Sequence, residues 1–108
     1  MNKRGIGIDI VQISRIKNPD LLAKGILTDK ELEIYHQKGI NKIQFLAGRY
    51  AGKEAFMKAI EKGIDQTSFK QIEILYKSSG APTLTYQNHE YEISISHDGD
   101  YAVAIVKL

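Results

Sequence analysis

The sequence predicts an α+β fold, an antiparallel sheet packed against a long central helix. Three observations carry that reading. The stretch from Asn41 to about Lys62 has helical periodicity with apolar residues on two sides. The last third of the chain alternates apolar and polar residues between short turns, and Gly5 to Ile13 alternates in the same way before any helix begins. At 108 residues, 43% hydrophobic and 26% charged, with no repeat or linker, residues 1–108 read as one globular domain. The absence of cysteine excludes disulfides and thiolate metal sites. No apolar run approaches the roughly 18–20 residues of a membrane span. The basic Met1–Gly5 segment leads into a stretch broken by Asp9 and Gln12, so a signal peptide is not expected and a cytoplasmic location is. A net charge of +2 is too small to argue for nucleic acid.

In the first strand Ile6, Ile8 and Ile10 share one face, and Gly5, Gly7, Asp9 and Val11 the other. Two glycines beside an acid mark a face that something approaches closely. Asn18-Pro19-Asp20 signals a turn or a helix start. Thr28 with Glu31 fits a capping box ahead of a short helix to about Gln37, which Gly39 would end. On the long helix, Ile43, Leu46, Ala47, Tyr50, Ala51 and Met57 form one stripe. Phe45, Gly48, Gly52, Phe56 and Ala59 lie roughly opposite, leaving a narrow polar sector with Arg49 and Lys53. Gly48 and Gly52, four apart, suit close packing against another backbone. Ile72 to Tyr76, Thr83 to Tyr86, Tyr91 to Ile95 and Tyr101 to Ile105 alternate as strands, with turns at 78–82, 87–90 and Asp98-Gly99. Such short connections favour an antiparallel meander.

Two acids are out of place. Glu54 lies near the middle of an apolar helix stripe, one turn before Lys58. It reads either as half of an ordinary Glu–Lys helix pair or as a carboxylate that needs a cation. Asp9 reads either as an exposed edge-strand acid or as a partner to Glu54, the two converging on a hard cation such as Mg²⁺. Arg49, Lys53, Lys58 and Lys62 would then face a polyanion or, equally, solvent. His97 follows Ser94-Ile95-Ser96 at a turn; His36 and His89 have nothing around them that builds a site.

Taken together, three segments resemble holo-[acyl-carrier-protein] synthases of the 4'-phosphopantetheinyl transferase family. They are Gly5 to Val11 with Ile13-Ser14-Arg15-Ile16, Arg49 to Ala59, and Ile93 to His97 with Tyr101 to Ala104. The resemblance implies transfer of 4'-phosphopantetheine from coenzyme A to a serine of apo acyl carrier protein, in fatty acid biosynthesis, leaving adenosine 3',5'-bisphosphate. It implies Mg²⁺ held by Asp9 and Glu54, Lys58 on the pyrophosphate, and coenzyme A contacts from Arg49, Lys62, Gly63, Pro82 and His97. It implies carrier contacts from Arg15 and Lys24, and a homotrimer binding coenzyme A between subunits, with Gly48 and Gly52 in its packed core. The chain departs from the family pattern at Glu61-Lys62-Gly63-Ile64-Asp65, where a glycine-threonine-glycine turn is usual. An alternative of another class is a non-catalytic module that binds coenzyme A or a carrier protein. Retention of Asp9, Glu54 and Lys58 weighs against it, since a pure binder needs no metal dyad.

Overall fold

The computed structural model describes residues 5–61 and 68–108. Five strands form one antiparallel sheet in the order β1-β5-β4-β3-β2: β1 (Ile6–Gln12), β2 (Ile72–Tyr76), β3 (Pro82–Tyr86), β4 (His89–Asp98) and β5 (Tyr101–Lys107). Helices α1 (Pro19–Ile26), α2 (Asp29–Gln37) and α3 (Lys42–Ala59) lie between β1 and β2 in the chain. β1 leaves the N-terminal end of the chain to pair with β5 from Ile6↔Lys107 to Gln12↔Tyr101, so the meander is completed by its earliest strand. β4 changes partner along its length, pairing with β3 through His89–Tyr91 and with β5 through Glu92–Asp98. The turn before it is two residues long, because Gln87 and Asn88 both adopt positive φ. His89 therefore already belongs to the strand and not, as expected, to the turn.

Local chemistry sets the helix boundaries. Asn18 caps α1 by accepting from the Leu21 N–H, with Pro19 at the first helical position. The expected capping box is present on α2. Thr28 Oγ1 accepts from the Glu31 N–H, and a Glu31 carboxylate oxygen accepts from the Thr28 N–H at 2.9 Å.

α3 packs against β1, β5 and β4, and twelve of its residues are buried. The Gly7, Asp9 and Val11 face of β1 receives it. A Cβ on Gly7 would stand 1.9 Å from the Ala55 carbonyl oxygen, so glycine is required there by the proximity of the helix backbone. The isoleucine face points the other way: Ile6, Ile8 and Ile10 are 65%, 58% and 62% exposed. Ile8 pairs with Ile105 and Ile10 with Val103, so an apolar patch covers the outer face of the sheet.

Two expectations for α3 are corrected. Gly48 and Gly52 admit side chains of the same chain, not another copy's backbone. A Cβ at Gly48 would lie 3.1 Å from both Ile95 and His97, and one at Gly52 2.7 Å from Ile74. Arg49 and Lys53 do not form a solvated sector; they are 4% and 0% exposed. Lys53 Nζ spends its three protons on Glu31 Oε1 (2.6 Å), the Ile26 carbonyl (2.7 Å) and the Phe69 carbonyl (3.1 Å). The other Glu31 oxygen accepts from the Ile74 N–H at 2.7 Å. A charge pair can be held in a core when its remaining donors and acceptors are satisfied in this way.

Gly7→Ala should cost at least ~2–3 kcal/mol in urea unfolding, because the clash is with backbone that has nowhere to move. Gly25→Ala, on α1 with open space around its Cβ, is the control. It should be neutral or stabilising by up to about 1 kcal/mol. Equal effects at the two positions would contradict the close contact.

Candidate active site

Asp9 sits on the helix-facing side of β1, opposite Ala104, and α3 crosses above it. Lys58 Nζ donates to Asp9 Oδ1 at 3.1 Å and to the Ile8 carbonyl at 3.0 Å. Its own side chain is 57% exposed, so this ion pair lies at the edge of solvent. Glu54, one turn earlier, shares with Asp9 an open cavity of about 420 Å³, whose wall includes Tyr50, Gln12 and Arg15. Burial pushes the Glu54 carboxyl above the usual glutamate value; the charge of Asp9 adds to that and Lys58 partly opposes it. Burial and the same two acids raise the Tyr50 phenol, which keeps its proton at neutral pH. Glu54 is thus not merely a helix partner of Lys58, whose ammonium is given to Asp9.

Among the described residues, no group of three or more His, Cys, Asp or Glu side chains gathers as a metal site. The donor set is two carboxylates. Their chemistry fits Mg²⁺, which takes hard oxygens, one or two carboxylates at a time, and fills the rest of its octahedron with water or phosphate. The disfavouring of the Glu54 carboxylate by burial and by the charge of Asp9 is of the kind that a divalent cation would relieve.

Arg49 and His97 belong to a second, smaller cavity of about 180 Å³. The Arg49 guanidinium carbon lies 4.3 Å from the centre of the Phe45 ring and 4.9 Å from that of Tyr76. Its Nε donates to the Ile74 carbonyl at 3.1 Å, while Nη2 is buried with no hydrogen-bond partner among the described residues. Burial lowers the Arg49 pKa, against the pull of Tyr76 and Glu31. Lys38 Nζ stands over the same two rings, and His97 Nε2 is 3.1 Å from the Gln44 carbonyl. Pro82 pairs with Tyr76 in the β2–β3 ladder beside this cleft. A cleft with Arg49 and Lys38 set against aromatic rings is suited to an anion attached to a flat ring system.

The residues named from sequence therefore divide. Asp9, Glu54, Lys58 and Arg15 come together; Arg49 and His97 come together elsewhere; Lys24 is exposed on the last turn of α1 and lines neither cavity. Lys53, expected near a polyanion, is sealed in the core. Lys62 and Gly63 lie outside the described residues. Sequence reasoning missed Lys38, Phe45 and Tyr76, which come together only when the first turn of α3 and the segment before it meet the end of β2.

The described chain has no helix long and apolar enough to cross a membrane. Its sheet and helices are those of small enzymes that load carrier proteins: the chain belongs to the 4'-phosphopantetheinyl transferase superfamily, whose sequence profile matches residues 5–106. Within that family its relatives are holo-[acyl-carrier-protein] synthases. The synthase of Streptococcus equi subsp. zooepidemicus is 46% identical over 96% of this chain and 94% of its own. A Bacillus anthracis holo-(acyl-carrier-protein) synthase, solved in complex with CoA (3',5'-ADP), superposes with a TM-score of 0.87 at 41% identity, over 95% of this chain and 93% of its own. The Helicobacter pylori enzyme in complex with coenzyme A superposes with a TM-score of 0.81 at 32% identity, over 94% and 97% of the two chains.

Between the unfolded and folded pKa values of Glu54 the folded protein binds more protons, so metal-free stability should fall as pH rises through that window. Glu54→Gln should abolish this fall and raise the neutral-pH melting temperature in chelator. Melting curves from acid to neutral pH test it; an unchanged pH dependence would refute the coupling.

Proposed function

We propose that this protein transfers 4'-phosphopantetheine from coenzyme A to a serine of apo acyl carrier protein, releasing adenosine 3',5'-bisphosphate. Residues 1–108 then act as one transferase domain in the cytoplasm, serving fatty acid biosynthesis. The observation that carries the reading is the cavity that Asp9 and Glu54 share, with Lys58 paired to Asp9, in a chain closely similar to enzymes of that name. These three are the catalytic group.

Asp9 and Glu54 would hold Mg²⁺, which when bound supplies charge neutralisation on the pyrophosphate. Lys58 is placed to exchange partners. In the free protein it neutralises Asp9, and its exposure leaves it free to turn to an incoming phosphate oxygen. There it offsets charge on the departing adenosine bisphosphate as the bond from the transferred phosphorus to the leaving oxygen breaks. The serine proton passes to a carboxylate of the cavity or to a water that it holds. Arg49, His97 and Pro82, with Lys62 and Gly63, form the coenzyme A contacts; Arg15 and Lys24 face the acidic carrier.

A third groove, on the outer sheet face, shares a lining residue with each of the two cavities. This groove of about 340 Å³ is lined by Ile10, which also lines the acidic cavity, and by His97, which also lines the Arg49 cleft. Exposed Ile6, Ile8 and Ile10 beside this groove offer an apolar surface on which further copies could seat. This supports a homotrimer with coenzyme A between subunits.

Incubated with apo carrier protein, coenzyme A and Mg²⁺, the protein should add one phosphopantetheine to the carrier by intact mass, and none in chelator. Lys58→Ala should lower kcat roughly 100-fold with both substrates saturating. An unmodified carrier, from protein that demonstrably binds coenzyme A, would instead support a binding module. Light scattering should give a mass near three chains; a fully active monomer would contradict the shared site.

A further inference from the structure

The chain leaves β1 at Gln12 and enters a 3-10 turn, Ile13–Arg15, whose N-cap residue supplies no side-chain hydrogen bond. The turn's free donors end on one distant residue. The Ile13 N–H donates to the Asp100 carbonyl at 2.7 Å. The Ser14 N–H donates to Asp100 Oδ1 at 2.9 Å, and the Ser14 hydroxyl to Asp100 Oδ2 at 2.6 Å. Both carboxylate oxygens are thus engaged by a single residue. The Ser14 bonds, helped by the Gln12 side chain, hold the Asp100 carboxyl below the usual aspartate value, so the clasp is charged at neutral pH.

Asp100 lies in the β4–β5 turn, beyond Asp98 and before Tyr101. It lines neither the acidic cavity nor the Arg49 cleft. What it fixes is the residue after Ser14. Arg15 is exposed, lines the acidic cavity beside Glu54, and makes no ion pair among the described residues. An exposed arginine on a loose turn must be ordered when a partner binds, and that ordering weakens association. A turn fastened by three bonds to the sheet fixes the backbone from which that arginine reaches, so less remains to be ordered.

We propose that Asp100 is a positioning residue for carrier recognition: through Ser14 it fastens the 3-10 turn that presents Arg15 at the rim of the acidic cavity. The proposal rests on the reading of Arg15 as a carrier contact. Neither Asp100 nor Ser14 touches the reacting atoms, so their effect falls on carrier binding and leaves coenzyme A and the chemical step alone.

The test is steady-state kinetics on the full-length protein with apo carrier and coenzyme A varied in turn. Asp100→Asn and Ser14→Ala should each raise the carrier KM roughly three- to ten-fold, as expected for one lost charge-assisted hydrogen bond, with kcat and coenzyme A KM unchanged. Ser14→Thr keeps the hydroxyl and should restore the wild-type value. In an Arg15→Ala background, Asp100→Asn should have no further effect on carrier KM, because it acts through the missing side chain. If Arg15→Ala raises the carrier KM but neither clasp variant does, the positioning role is wrong and the reading of Arg15 stands. If Arg15→Ala leaves the carrier KM unchanged, both fall. Effects that add, or that raise coenzyme A KM equally, mark the clasp as a general structural brace and overturn the proposal. Should Asp100→Asn fail to fold, Ser14→Ala, which keeps the backbone bonds, decides alone.

Discussion

The closeness of α3 to β1 governs the rest of the molecule. The helix backbone at Ala55 sits over Gly7 where no side chain fits, and small residues continue the seam on both sides: Ala51, Ala55 and Ala59 on the helix, Ala102 and Ala104 on β5. A helix held at ordinary distance by larger residues would carry Glu54 and Lys58 away from the sheet. Held this low, it sets Lys58 on Asp9, two residues along the strand from Gly7. The site's geometry is therefore a packing result before it is an electrostatic one.

The opposite flank of α3 uses long side chains where the first uses short ones. Lys53 reaches through the core to join the C-terminal end of α1, the start of α2 and the segment before β2, and Glu31 completes the joint to β2. Removing one partner would leave a buried charge, a loss of about 3–5 kcal/mol. The pair binds α1, which carries Lys24, to the helix that carries Glu54. Its neighbour Arg49 serves β2 as well, through the Ile74 carbonyl, while its guanidinium lies beside the Phe45 and Tyr76 rings.

Much of this was legible in the sequence and some was not, for reasons that differ. The strands and the Thr28–Glu31 box depend on near neighbours, and they were found close to their places. Asp9 and Glu54 were noticed because a carboxylate interrupts an apolar pattern. Arg49 and Lys53 were misjudged because periodicity assigns a charged sector to solvent, whereas a long side chain can carry its charge inward to carbonyls that need it. Glu31 looked complete as a capping residue, and nothing nearby announces its second role. The Arg49 cleft joins Phe45 to Tyr76, and the Asp100 clasp joins residues 86 positions apart; such contacts follow from sheet order, which local patterns do not contain. The exposed isoleucines of β1 have the opposite lesson: the glycines mark the face that is closely approached, α3 takes it, and the more apolar face is left outside.

A sheet of five strands ends in two edges, and an open edge is a template on which other chains can grow into fibres. At β2 that template is spoiled in the middle of the strand, because the Ile74 N–H is already given to Glu31 and its carbonyl to Arg49. At β1 the Ile8 carbonyl is taken by Lys58. The charged residues beside the acidic cavity and in the core thereby also blunt both edges of the sheet. The isoleucine face lies on the broad side of the sheet, away from its edges, while strand-by-strand growth at either edge meets groups already in use.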